Sequence, residues 1–186
     1  MYITVYCGAS LGNNPLHQQA TIALGKWLVE QNHTLVYGGG KVGLMGLLAD
    51  TVLQHGGKVI GIMPTFLQQR EIAHTGVTEM ISVSSMTERK QKMIELGQAY
   101  IALAGGPGTL EEISEVISWA RIGQNNHPCI LFNSDGYYEP LKAVFDKMVT
   151  EGFLTQQDRE KTLFSDDLTE IEAFIANYTP PDVRRY

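Results

Sequence analysis

The chain has only two cysteines in 186 residues, Cys7 and Cys129, too few to staple a fold. Each falls in or beside an apolar run of strand length, which suits reduced packing residues better than a disulfide or a metal site. Positive charge is also scarce. The 14 Lys and Arg against 20 Asp and Glu give a formal charge of -6, and the sequence pI near 5.3 disfavours binding to nucleic acid or to an anionic membrane surface. A small anionic ligand stays allowed, because local donors decide that case. No apolar run approaches the roughly 20 residues that a membrane helix needs, and there is no low-complexity tract or solenoid-like repeat. His17, His33, His55, His74 and His127 lack ligand spacing, so no metal is expected. The first residues, MYITVYCGAS, alternate like a strand and lack the basic and apolar regions of a signal peptide, which points to the cytoplasm.

What the sequence does have is alternation. Apolar runs of strand length recur at 3–7, 34–37, 58–62, 77–83, 99–103 and 129–132. Helical patterns at 15–30, 43–55, 86–98, 110–121 and 140–150 lie between or after them, with Trp27 and Trp119 at core-facing spacing. Strand and helix taking turns, with glycine after several strands, predicts an α/β fold: a three-layer, Rossmann-like, doubly wound parallel sheet. A single domain over 1–186 accommodates all of it, with 178–186 (YTPPDVRRY) as a terminal arm. Ligands of such folds sit beyond the carboxyl ends of the strands. Those ends here are 7–10, 38–40, 61–64, 84–85 and 105–106, five turns that can share one mouth.

The turn after the fifth run carries the strongest signal. In LAGGPGTLEEISE, the glycines Gly105, Gly106 and Gly108, with Pro107 and Thr109, stand between a strand and an amphipathic helix. That order places bare amides at a positive helix end, where they hold a phosphate or another anion. Thr109 and Glu112 fit a capping box, so Glu112 either bonds the backbone of Thr109 or faces the mouth. Glu111 and Glu115 complete a carboxylate cluster that also suits a plain solvated helix start. Ser85 and Glu88 form a second capping box, which starts a helix at Met86 and turns Arg89 onto its apolar stripe with Lys90 beside it. An inward guanidinium cannot shed its proton, so it wants an anionic partner: a ligand, or a structural carboxylate such as Glu112 or Glu115. The turn GGGKVG at 38–43 fits dinucleotide spacing, but the next strand ends without the acidic residue that grips a ribose. Its Gly39 and Gly40 either line a nucleotide site or only allow a tight turn. Residues 64–76 lose periodicity and read as a loop or lid carrying Glu71.

CGAS near the start, YGGGKVGLMG, MTERK, and GGPGTLEE followed by SW together resemble the LOG family, the cytokinin riboside 5'-monophosphate phosphoribohydrolases. Many of its members were once labelled lysine decarboxylases. The resemblance runs from about residue 2 to residue 153. It implies a Rossmann-like homodimer that cleaves the N-glycosidic bond of AMP-type nucleoside 5'-monophosphates without a cofactor. It also implies Arg89 and Glu112 as catalytic residues. Glu71, Lys90, Gly105, Gly106, Pro107, Gly108, Thr109, Leu110 and Glu111 become substrate contacts. Ala104 stands for the motif proline, Thr87 for the motif histidine, and Pro107 fills a position that is often aromatic. The rival readings are a non-catalytic carrier of a nucleotide-like cofactor and a pyridoxal-dependent decarboxylase. Neither Lys41 nor Lys90 lies in a context that marks a Schiff-base lysine.

Overall fold

The structure is a computed structural model that describes residues 1–68 and 73–183. Seven parallel strands make one sheet: β1 (Tyr2–Tyr6), β2 (Thr34–Tyr37), β3 (Lys58–Pro64), β4 (Glu79–Val83), β5 (Ala99–Ala102), β6 (Cys129–Phe132) and β7 (Thr162–Ser165). Their spatial order is β4-β3-β2-β1-β5-β6-β7. The doubly wound parallel sheet expected from the alternation is therefore present, with a seventh strand added at one edge.

The helices are α1 (Pro15–Glu30), α2 (Gly43–Gln54), α3 (Met86–Leu96), α4 (Pro107–Arg121), α5 (Glu139–Thr150), α6 (Gln156–Arg159) and α7 (Leu168–Ala176). Two apolar layers sandwich the sheet. On one face Leu24, Trp27 and Leu28 of α1, Leu48 and Val52 of α2, and Ile171 of α7 cover Ile3, Leu35 and Ile101. On the other, Met93 of α3 with Ile113 and Val116 of α4 cover Val36, Tyr100 and Leu131. Strand residues thus alternate between faces while nearly all are apolar, which is why the runs read as buried strands. Trp119, expected in the core, is only half-buried. Among the described residues no helix is long and apolar enough to cross a membrane.

The order places a topological switch between β1 and β5. After β1 the chain leaves for α1 on one face; after β5 it leaves for α4 on the other. The loops part there and open a crevice at the carboxyl ends of both strands.

Candidate active site

Two helix starts and the end of β1 converge on that crevice. The cleft holds about 310 Å³, and its walls are Cys7, Gly8 and Ala9 from the turn after β1, Met45 from α2, Met86, Arg89 and Lys90 from α3, the cap residue Gly106, and Gly108, Thr109, Glu111 and Glu112 from α4. Sequence reasoning named most of these. It placed 7–10 at the mouth as a turn but passed over Met45 and Met86 as wall residues, since apolar positions in motif stretches carry no separate signal.

α4 begins earlier than its sequence implies. The capping box makes Thr109 the cap, yet the helix starts at Pro107, with Gly106 as the cap residue in extended geometry and no side chain closing it. Proline is favoured at a first helical position, where its fixed φ fits and its missing N–H costs nothing. Thr109 is consequently inside the helix and only 5% exposed, and Glu112 is not spent on a capping bond. The amides at this end stay open, since Leu110 N–H is the first to find a partner, Gly106 O at 3.2 Å.

The three glycines of this turn divide into two kinds. A Cβ on Gly105 would stand 2.2 Å from Thr109 Oγ1, so this glycine serves internal packing. Gly106 and Gly108 have no atom within 4 Å of an added Cβ and no positive φ. Neither sterics nor backbone conformation requires glycine there, and the bare amides leave room for a ligand to approach closely. Gly108→Ala is therefore expected to keep or raise the melting temperature, alanine being worth up to about 1 kcal/mol over glycine in a helix. Its cost should appear as weakened anion binding, read by calorimetric titration with a nucleotide.

Arg89 points inward as the helical stripe implies, and is 7% exposed. Its Nε donates to Ile62 O at 3.1 Å and its Nη2 to Gly38 O at 2.7 Å, the carbonyl ends of β3 and β2. Among the described residues no carboxylate lies within ion-pair distance of it. Backbone dipoles hold the fork in place, and its charge acts on the cleft. This also accounts for the GGGKVG turn. A Cβ on Gly38 would fall 2.0 Å from Arg89 Nη2, so the glycine makes room for a guanidinium. Gly39 packs on Met63 and Met80, and Gly40 forms a bridge with Ala73; neither is on the cleft wall.

Lys90 and Glu111 line the cleft but are engaged with each other. Lys90 Nζ donates to Glu111 Oε1 at 2.8 Å and approaches Glu115 Oε2 at 3.1 Å, strapping α3 to α4. Hydrogen bonds to Glu111 and Glu115 raise the Lys90 pKa and keep it charged. Glu112, one residue round the helix, turns into the cleft instead. Burial raises its carboxyl to about 7, with Glu111 and Glu115 adding to the rise while Arg89 and Lys90 oppose it. It therefore titrates near neutrality. Burial pushes the Cys7 thiol far up and Glu112 adds to this, so Cys7 is a neutral wall group.

The second capping box is only half formed. Ser85 Oγ accepts from Glu88 N–H as expected, but Glu88 reaches Ser84 N–H and Oγ, one residue further back. Gly105, Gly106, Pro107 and Leu110 border a neighbouring chamber with Tyr137 and Tyr138. Those tyrosines, which no sequence pattern marked, hydrogen-bond Gly105 O and Leu103 O and so brace the β5–α4 turn. They follow β6, a strand end that the sequence reading did not count. Of the motif departures, Thr87 is exposed and off the cleft wall. Ala104 is buried and accepts Gly8 N–H at 3.1 Å, tying the β1 and β5 turns together. Glu71 lies outside the described residues. Among the described residues there is no group of three or more His, Cys, Asp or Glu placed to hold a metal.

Fold and site together define a doubly wound α/β protein with a turn of open amides, an inward arginine and a carboxyl that titrates near neutrality at its switch point. The sequence model described as possible lysine decarboxylase matches residues 45–174. A rice protein named probable cytokinin riboside 5'-monophosphate phosphoribohydrolase LOGL2 is 45% identical over 96% of this chain and 73% of its own. Arabidopsis thaliana LOG7, named with the same activity, is 44% identical over 96% and 82%, and a Rhodococcoides fascians phosphoribohydrolase is 42% identical over 96% and 89%. The chain belongs to this LOG family of phosphoribohydrolases, which are glycosidic-bond hydrolases. Among solved structures, a molybdenum cofactor carrier protein from Chlamydomonas reinhardtii aligns with a TM-score of 0.71 at 16% identity, covering 95% of this chain and 98% of its own. A molybdenum cofactor binding protein from Rippkaea orientalis aligns at 0.69 and 21%, covering 94% and 96%. At such identities these two share the fold.

Proposed function

We propose that this protein is a cytoplasmic, homodimeric hydrolase that cleaves the N-glycosidic bond of AMP or of N6-substituted, cytokinin-type AMP, giving free base and ribose 5-phosphate. The observation that carries the reading is the shared cleft of Arg89, Glu112 and the open α4 amides. In this mechanism the amides of Gly106, Gly108 and Thr109 take the 5'-phosphate at the positive end of α4, which fixes the ribose against the reacting groups. Breaking the C1'–N bond sends its electron pair to the purine and leaves positive charge on the sugar ring. The Glu112 carboxylate stabilises that charge and accepts a proton from the water that adds to C1'. Arg89 stabilises the negative charge on the departing base, which then takes up a proton. Lys90 holds α3 and α4 at the spacing that the cleft needs, and Glu71 belongs to the base end of the substrate.

Incubation with AMP should release adenine and ribose 5-phosphate in equal amounts, measured by chromatography. Adenosine, lacking the group that the cradle holds, should be cleaved at least about 100-fold less efficiently in kcat/KM. Intact AMP bound without adenine release would favour a carrier, the reading that sharing a fold with cofactor carriers keeps in play. A decarboxylase is disfavoured by the cleft's own lysine: Lys90 is held charged by two carboxylates, the opposite of what a Schiff-base amine needs. The homodimer draws support from α5, which buries no residue fully and leaves Val144 and Met148 exposed. Light scattering should give twice the 20.6 kDa chain mass.

A further inference from the structure

Outside the cleft, one buried polar group is wired to the backbone that holds Arg89. The chain returns from the β3–β4 connection at Ala73, which bridges Gly40 in antiparallel fashion, and the next N–H, that of His74, donates to Gly39 O at 3.0 Å. With Gly38 O taking Arg89 Nη2, three successive glycines of one turn are pinned. The His74 side chain is what fixes the incoming strand of contacts. The residue is 5% exposed, and its Nδ1 accepts Gly76 N–H at 3.1 Å. The ring proton therefore sits on Nε2, which donates to Asp50 Oδ1 at 2.9 Å. Asp50 lies on α2, the helix that the same glycine turn feeds. An imidazole saturated at both nitrogens, clamped between that helix and the turn, has no freedom to act on a substrate.

We infer that His74, anchored by Asp50, is a positioning residue for Arg89: it fixes the Gly38–Gly40 turn and with it the carbonyl on which the guanidinium hangs. The inference rests on the proposed role of Arg89. Its reach is set by geometry, since a misplacement on the order of 1 Å at a reacting group costs as much as about 100-fold in rate.

The test compares variants that keep the His74–Asp50 hydrogen bond with variants that lose it. His74→Phe and Asp50→Ala should each lower kcat for AMP by about tenfold, leaving KM within about twofold, because the phosphate cradle is untouched. His74→Gln, whose amide can still donate to Asp50, and Asp50→Asn, which keeps an acceptor, should stay within about threefold of the parent. Asp50 is half exposed, so Asp50→Ala keeps the test readable even if His74→Phe folds poorly. The pair should be non-additive, the double variant no slower than either single one. A second readout does not depend on turnover. The Arg89 Nε–H, assigned in nitrogen-15 spectra by its loss in Arg89→Ala, should exchange with solvent about tenfold faster in Asp50→Ala and His74→Phe than in the parent. Parental kcat in a folded Asp50→Ala protein, or unchanged Arg89 exchange, overturns the inference. If the parent releases no adenine from AMP, the functional reading has failed, and the exchange measurement alone then decides whether His74 positions the arginine.

Discussion

Glu112→Gln is expected to abolish turnover and stabilise the protein at the same time. Burial raises this carboxyl from its ordinary 4.5 to about 7. Between those two pH values the folded protein keeps a proton that the unfolded chain has released. Stability therefore falls as pH rises through the window, and the cost is complete above it. At about 1.4 kcal/mol per pH unit, ionising Glu112 costs the fold about 3 kcal/mol at pH 8. Glutamine mimics the protonated carboxyl and never bears that cost. Urea titrations of parent and variant should nearly coincide at pH 4.5 and separate by up to about 3 kcal/mol at pH 8 in favour of the variant. The proposed reaction needs the ionised form, so kcat/KM of the parent should climb through about pH 7 and level off above it. The variant should be slower by about 100-fold or more at every pH. A glutamine variant that is inactive but no more stable at pH 8 would mean that Glu112 is not desolvated as described. One that hydrolyses AMP at the parental rate would remove it from the chemistry.

The fold was open to reading because a doubly wound sheet buries its strands on both faces. Runs such as 99–103 and 129–132 are apolar throughout, and the helices between them are long enough to show a period. What escaped was the end of the chain. The edge strand β7 is half polar, with Thr162 and Ser165 at its ends breaking the apolar run, and α6 has four residues, too few to show a helical period. At the site, the helical stripe placed Arg89 correctly, but sequence could not say what held it. Two carbonyls do so, and carbonyls leave no trace in residue identity. The Thr109 capping box misled for a related reason. A serine or threonine pattern marks where a cap can form, and Pro107 with Gly106 offered an earlier start whose amides remained open. The glycines were legible as a turn and illegible as two kinds of glycine. Only three-dimensional contacts separate Gly105, where Thr109 would crowd a side chain, from Gly106 and Gly108, where an added Cβ would meet open space.

Arg89→Ala should be inactive as well, but it should differ from the glutamine variant in the sign of its stability change. Removing the guanidinium strips partners from Ile62 O and Gly38 O, two buried acceptors that cost about 1–3 kcal/mol each if left unsatisfied. It also removes the charge that holds the Glu112 pKa down, so any residual activity should rise with pH later than in the parent. Lysine cannot replace the fork: one ammonium on a flexible stem does not span both carbonyls, and Arg89→Lys should also lose about 100-fold. A destabilised variant is ambiguous by itself, and Gly38→Ala resolves the ambiguity. Its φ is ordinary, and the atoms closest to a new Cβ belong to the Arg89 guanidinium, at 2.0 Å and 3.1 Å, followed by Met45 Sδ at 3.4 Å. The methyl group must displace the movable end of Arg89 while leaving the sheet alone. Gly38→Ala should therefore melt close to the parent, bind AMP with nearly parental affinity and turn it over about 100-fold more slowly, as expected when positioned charge is lost. Parental kcat in that variant would show that the guanidinium does its work from somewhere other than the seat formed by β2 and β3.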